Sequence, residues 1–182
     1  ITFGLRAAGW LVGLDAAAAE LERVLTAPRR GLPEGEPLLL LGSLGSDLSM
    51  WDPQLPGLAD RRTIRADFRG HGASPVPTVP YSVADLGADV LALMDALAIE
   101  RVSLCGLSLG GMTAIWLAAN APERVGLLLL LCTSARVDSP RDYGRRAEVV
   151  LAEGTGSVAE AVFGRWLTPD FAAADPALVD RL

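Results

Sequence analysis

From residue 36 onward, short apolar runs alternate with segments of helical spacing. Residues 37–41 (Pro37, then Leu38 to Leu41) form an unbroken apolar run, the pattern of a strand buried on both faces. Residues 52–60 read as a short helix, and residues 63–67 as a second strand. Arg69-Gly70-His71-Gly72 opens a Pro-rich loop that ends near Pro80. Ser82 is placed to N-cap a helix running to about Leu97, with Asp85 three residues on, close to a capping box. Residues 101–105 form a third strand. Residues 108–120 form a helix, stopped by Ala121-Pro122. Residues 125–132, with five consecutive leucines from Leu127 to Leu131, form a fourth strand. Strands alternating with helices imply a parallel sheet with crossover helices, an α/β fold.

Both ends of the chain break this rhythm. Residues 5–26 show Leu14, Ala18, Leu21 and Leu25 at three- and four-residue spacing, an amphipathic helix, and residues 27–35 read as a Pro/Gly-rich linker. Beyond Pro140, residues 141–153 and 158–167 read as two helices without a strand between them, the start of a helical lid. The expected organisation is a helical segment and linker over 1–35, an α/β core over 36–138, and a lid over 139–182.

The chain has 182 residues, 51% of them hydrophobic, which suits one domain of about 100–200 residues. Its net charge is −6. That argues against a sequence-independent grip on nucleic acid and against electrostatic attachment to anionic membranes. No apolar run reaches the roughly 18 residues of a membrane span, and the first residues lack the charged stretch of a secretion signal, so a cytoplasmic location is expected. Cys105 and Cys132 both lie in apolar runs and read as buried thiols. Nothing in the sequence fixes the oligomeric state.

The sharpest chemical signal is Gly106-Leu107-Ser108-Leu109-Gly110. This G-x-S-x-G pattern sits between an expected strand and an expected helix, the context it requires. Ser108 would occupy a strained strand-to-helix turn as a nucleophile, with Gly106 and Gly110 leaving room for the bend. The free N–H groups at the helix start would put the Leu109 N–H where an oxyanion forms. An ordinary glycine-rich turn is the alternative.

Four features in order resemble the α/β-hydrolase superfamily over residues 36–182: Gly42-Ser43-Leu44-Gly45 followed by Trp51; Asp67-Phe68-Arg69-Gly70-His71-Gly72-Ala73-Ser74; the turn at Ser108; and Cys132-Thr133-Ser134-Ala135-Arg136. Met50-Trp51-Asp52-Pro53-Gln54, Tyr81-Ser82 with Asp85-Leu86, Gly111-Met112, and Arg165-Trp166-Leu167-Thr168-Pro169 with Phe171 are similar to 3-oxoadipate enol-lactonases. That resemblance implies a small-molecule lactone substrate, hydrolysed to 3-oxoadipate in aromatic catabolism without a cofactor. It implies a second oxyanion donor near Leu44. It also implies a cation for the substrate carboxylate, for which Arg136 is the candidate beside the reading of a solvated loop arginine. Trp51 and Trp166 could wall the pocket or serve as core or lid packing. Another esterase, lactonase or C–C hydrolase of the same fold, and a non-catalytic chain, are the alternatives.

A serine nucleophile needs a base and a group that orients it, and in this fold they follow it as Asp or Glu, then His. His71, the one histidine, precedes Ser108 and reads as a loop element. Asp138 is a weak candidate acid, and Asp170, Asp175 and Asp180 fall in the helical tail. The Asp and His are therefore expected beyond Leu182, the fold incomplete at its C-terminus, and the 182 residues inactive alone. At the front, Gly9 to Asp15 with Leu21 to Leu25 faintly resembles the tail of 3-carboxymuconate cycloisomerases, with a generic amphipathic helix as the alternative.

Overall fold

A computed structural model describes residues 37–136 and 140–181. The expected helix over 5–26, its linker and Asp138 lie outside the described residues. Two compact units are present, one ending at Ala135 and the other beginning at Arg136.

The first unit is built on four parallel strands, β1 (Leu38–Leu41), β2 (Thr63–Ala66), β3 (Val102–Leu107) and β4 (Val125–Leu131), in the order β2-β1-β3-β4. The chain steps outward from β1 to β2, then returns past β1 to lay down β3 and β4. The strand order therefore reverses between β1 and β3, and in open α/β sheets ligands bind outside the carboxyl ends of the strands at such a point.

Side chains alternate across the sheet. Leu39 and Leu41, with Val102, Leu104 and Ile64, face α1 (Val83–Ala96) and α2 (Leu109–Asn120). There they pack on Leu86, Val90, Leu93, Ala114 and Leu117 in the main core. Removing each of these leucines from water stabilises the fold by about 1.5–3 kcal/mol. Leu38, Leu40 and Cys105 face the other way and pack on Trp51. α1 and α2 lie close because Gly87 has no side chain: a Cβ there would sit 2.1 Å from Trp116 Cε3.

α1 opens with the capping box read from the sequence. The Ser82 N–H donates to Asp85 Oδ2 at 2.7 Å, and the Asp85 N–H donates to Ser82 Oγ at 3.4 Å. That bonding, led by the Ser82 hydroxyl, holds the Asp85 carboxyl below its ordinary pKa.

Two readings need correction. The helix expected over 52–60 is a 3-10 segment over Leu48–Leu58. Pro53 and Pro56 lie inside it and remove the donors an α-helix would use. Cys132 is exposed, whereas Cys105 is buried and its thiol pKa is raised by desolvation. Among the described residues, the apolar run before Cys132 forms β4, the last strand of the sheet. Val125 is covered, but Leu127, Leu129, Leu130 and Leu131 are 67%, 46%, 43% and 40% exposed.

The second unit contains α3 (Pro140–Glu153), a 3-10 turn (Thr155–Val158), α4 (Ala159–Trp166), α5 (Pro169–Ala174) and α6 (Pro176–Arg181). Gly154, at φ 86°, ends α3, and its N–H donates to the Val150 carbonyl at 2.8 Å. The positive φ suits glycine at a helix C-terminus. Phe163 and Trp166 meet edge-to-face at 6.0 Å.

Candidate active site

Ser108 stands at the junction of β3 and α2 with φ 53° and ψ −111°. Such a backbone costs a non-glycine residue of order 1–3 kcal/mol and persists only where its surroundings impose it. Here the surroundings are mostly main chain. The Ser108 N–H donates to the Leu131 carbonyl at 3.0 Å, tying the turn to the end of β4. The Ser108 carbonyl accepts from Thr133 Oγ1 at 2.7 Å. One residue into α2, the Gly110 N–H donates to the Gly42 carbonyl at 3.0 Å, tying the helix start to the end of β1.

The flanking glycines make this approach possible. A Cβ on Gly106 would lie 2.4 Å from the Gly110 carbonyl oxygen. One on Gly110 would lie 2.2 Å from the Leu41 carbonyl oxygen, and one on Gly111 would lie 2.4 Å from Thr133 Cγ2. The spacing Gly106, Ser108, Gly110 is thus a packing requirement of the bend. Thr133 was not legible as a site residue, because a threonine 25 positions from the serine carries no local signal.

Ser108 is half-buried, and its hydroxyl makes no capping bond to the helix it precedes. Leu109 is the first residue of that helix, where an N–H has no intrahelical acceptor and the helix dipole is positive. On the neighbouring strand, Ser43 to Ser46 form a tight turn closed by the Ser46 N–H on the Ser43 carbonyl at 3.3 Å. Gly45, at φ 82°, supplies the left-handed position of a type II turn, and Leu44 sits at its exposed corner. The Gly110–Gly42 bond sets this turn beside the start of α2. The switch point between β1 and β3 therefore gathers a strained serine hydroxyl, a helix-start N–H at Leu109 and an exposed turn at Leu44.

His71 belongs to a different feature. Its Nδ1 donates to the Arg69 carbonyl at 3.1 Å, and its ring packs edge-on to Phe68. The loop around it is organised by Asp67, whose Oδ1 accepts from the Leu48 N–H at 2.6 Å. Gly72, at φ 52°, lies against the Asp67 carboxylate. Arg69 makes a two-pronged pair with the buried Asp89, Nε to Oδ2 at 2.6 Å and Nη2 to Oδ1 at 2.5 Å. Asp89 raises the guanidinium pKa above its ordinary value. The histidine's bond and the arginine's partner both hold the loop in shape, a scaffolding task.

Trp51 does not line an open wall. It is 6% exposed, packed among Leu38, Leu40 and Cys105, with its indole Nε1 buried and unpartnered among the described residues. Arg136 is exposed at the start of the second unit, and Trp166, at 41% exposure, ends α4.

A family model described as alpha/beta hydrolase fold matches residues 36–172. 3-Oxoadipate enol-lactonase 2 of Acinetobacter baylyi is 39% identical over 146 residues, which are 80% of this chain and 55% of that protein. The crystal structure of the enol-lactonase from Burkholderia xenovorans LB400 matches at TM-score 0.78 and 42% identity, over 81% of this chain and 57% of that one. A thermophilic esterase from Thermogutta terrifontis matches at TM-score 0.72 and 31% identity, over 80% of this chain and 56% of that one. The chain spans about half the length of the curated relatives it matches. A parallel sheet with a strained serine at its switch point, matched by the family model over most of its length, places the chain in the alpha/beta hydrolase fold family.

Proposed function

We propose that this chain carries the nucleophile half of a carboxylic-ester hydrolase of the 3-oxoadipate enol-lactonase type. The observation that carries this reading is the backbone of Ser108, held at φ 53° with its hydroxyl free of any capping bond. The enol-lactonases of Acinetobacter baylyi and Burkholderia xenovorans support the substrate class.

In this mechanism Ser108 Oγ attacks the lactone carbonyl and loses its proton to a base. The carbonyl oxygen becomes an oxyanion held by the N–H groups of Leu109 and Leu44, in fixed positions that need no reorganisation. Collapse breaks the ring C–O bond. The leaving oxygen departs as an enol that becomes the ketone of 3-oxoadipate, and water then frees the acyl group from Ser108. Arg136 is the proposed partner of the substrate carboxylate, because guanidinium binds carboxylate in two-pronged fashion. His71 is engaged in its own loop, so we assign the base and its orienting carboxylate to polypeptide outside these 182 residues.

The test is a chimera in which residues 37–182 replace the matching part of the Burkholderia xenovorans enol-lactonase. It should open 3-oxoadipate enol-lactone, and Ser108→Ala should abolish the activity. A chimera that cleaves simple aryl esters but spares the lactone would move the reading to a different esterase of this fold. A folded chimera inert to both would favour a non-catalytic chain.

A further inference from the structure

The second unit holds a cavity of about 260 Å³ between α3 and α4. Asp142, Arg145, Arg146 and Val149 line one wall, at the i, i+3, i+4, i+7 positions of one helix face. Val158, Ala161, Val162 and Arg165 line the other with the same spacing. The cavity is thus lined by apolar side chains together with three arginines and one aspartate.

The charges do not balance locally. Arg145 is paired with Asp142, Nη2 to Oδ1 at 2.5 Å. Arg146, which is half-buried, and Arg165 have no carboxylate partner among the described residues. Arg146 and Arg165 bring two unbalanced positive charges to the lining of one hollow, and an anion bound there would offset them. The surplus also runs against the chain's net charge of −6. The cavity of about 110 Å³ in the first unit makes the contrast: it too contains an arginine, Arg69, but Asp89 in the same cavity already neutralises it.

We propose that the α3–α4 cavity is a binding site for a small aliphatic carboxylate, with Arg146 and Arg165 taking the carboxylate and Val149, Val158 and Val162 taking the hydrocarbon. The pairing of a flat cationic fork with an apolar wall selects an acid with a short chain over a bare inorganic anion. The site stands on residues of the second unit alone, and its occupancy is independent of the reaction proposed at Ser108.

The experiment is calorimetric or NMR titration of the whole chain with adipate, dimethyl adipate and inorganic phosphate. Adipate should bind, the uncharged diester should not, and phosphate should bind at least tenfold more weakly. Arg165→Gln and Arg146→Gln should each weaken adipate binding roughly ten- to hundredfold, the range expected for one charge-assisted contact. Arg165→Lys should fall between, keeping the charge but losing the fork. Arg61→Gln, an exposed arginine of the first unit, should bind as the parent does. Failure of adipate to bind, equal binding of phosphate, or a loss with Arg61→Gln matching that with Arg165→Gln would overturn the proposal. Unchanged helical circular dichroism in the arginine variants would assign their losses to the site and not to unfolding. A variant that loses helicity is replaced by Arg165→Lys, whose parent-like affinity would equally count against the fork.

Discussion

Replacing Ser108 by glycine should make the protein more stable than replacing it by alanine, by more than an ordinary N-cap position would. Alanine keeps the Cβ that makes φ 53°, ψ −111° unfavourable, whereas glycine removes it. The strain relieved is of order 1–3 kcal/mol. Glycine also loosens the unfolded chain, which offsets roughly 0.4–1 kcal/mol of that gain. The net expectation is that Ser108→Gly exceeds Ser108→Ala by about 0.5–2 kcal/mol, or about 1–8 °C in melting temperature for a chain of this size. Because Ser108 is also an N-cap position, where glycine is favoured over alanine for other reasons, a reference pair is needed. Ser82 supplies it: it N-caps α1 with an ordinary φ of −116°. The difference between the Gly/Ala gap at position 108 and the gap at position 82 isolates the strain. Urea melts of the four variants measure it. Equal gaps at the two positions, or alanine the more stable at 108, would refute the claim that the turn stores energy.

Gly110→Ala should destabilise by about 1–3 kcal/mol, since its Cβ would meet the Leu41 carbonyl oxygen at 2.2 Å and overpacking against backbone outweighs the gain in helix propensity. Gly164→Ala, with nothing within 4 Å of the new Cβ, should instead stabilise α4 by a few tenths of a kcal/mol or more; the same urea melts check both. Asp89→Ala should cost about 2–3 kcal/mol by leaving Arg69 partly buried without its partner, whereas Asp52→Ala, 61% exposed in its pair with Arg65, should stay within about 0.5 kcal/mol. The Asp85 carboxyl is held below its ordinary pKa, so its ionised form stabilises the fold above that range and the benefit is lost as pH falls through the folded value. Thermal melts of Asp85→Asn against the parent should therefore show a gap at pH 7 that closes in acid, and a gap independent of pH would refute the linkage.

The parts of this fold that local chemistry dictates were legible in the sequence. Leu38 to Leu41 reads as a doubly buried strand, Ser82 and Asp85 announced a helix start, and Gly106-x-Ser108-x-Gly110 located the bend. What escaped depends on neighbours distant along the chain. The run from Leu127 to Leu131 reads as a strand wherever it stands in a sheet, so its exposure and that of Cys132 among the described residues follow from neighbours that the run itself does not name. Trp51 offered a ring that could wall a pocket or fill a core, and only the packing of Leu38, Leu40 and Cys105 decides for the core. The Arg69–Asp89 pair spans 20 residues, and Thr133 reaches back 25 to the serine carbonyl. The arginines between α3 and α4 show helical spacing on each helix, but nothing in either segment says that the two faces look at one cavity.

The serine turn is fixed by the main chain of three strands: the Leu131 carbonyl on β4, the Gly42 carbonyl following β1, and β3 itself, with the Thr133 hydroxyl bracing the Ser108 carbonyl. The main-chain N–H and C=O groups are the same in every amino acid but proline, which lacks the N–H. Residues such as Leu107, Leu109 and Met112 can therefore be exchanged with little effect on where the hydroxyl points, provided that positions 106 and 110 stay bare. The position of the Ser108 hydroxyl and the shape of the surface around it are consequently separate inheritances. A descendant of this sequence could reshape the loops after β1 and β4 while the hydroxyl keeps its address.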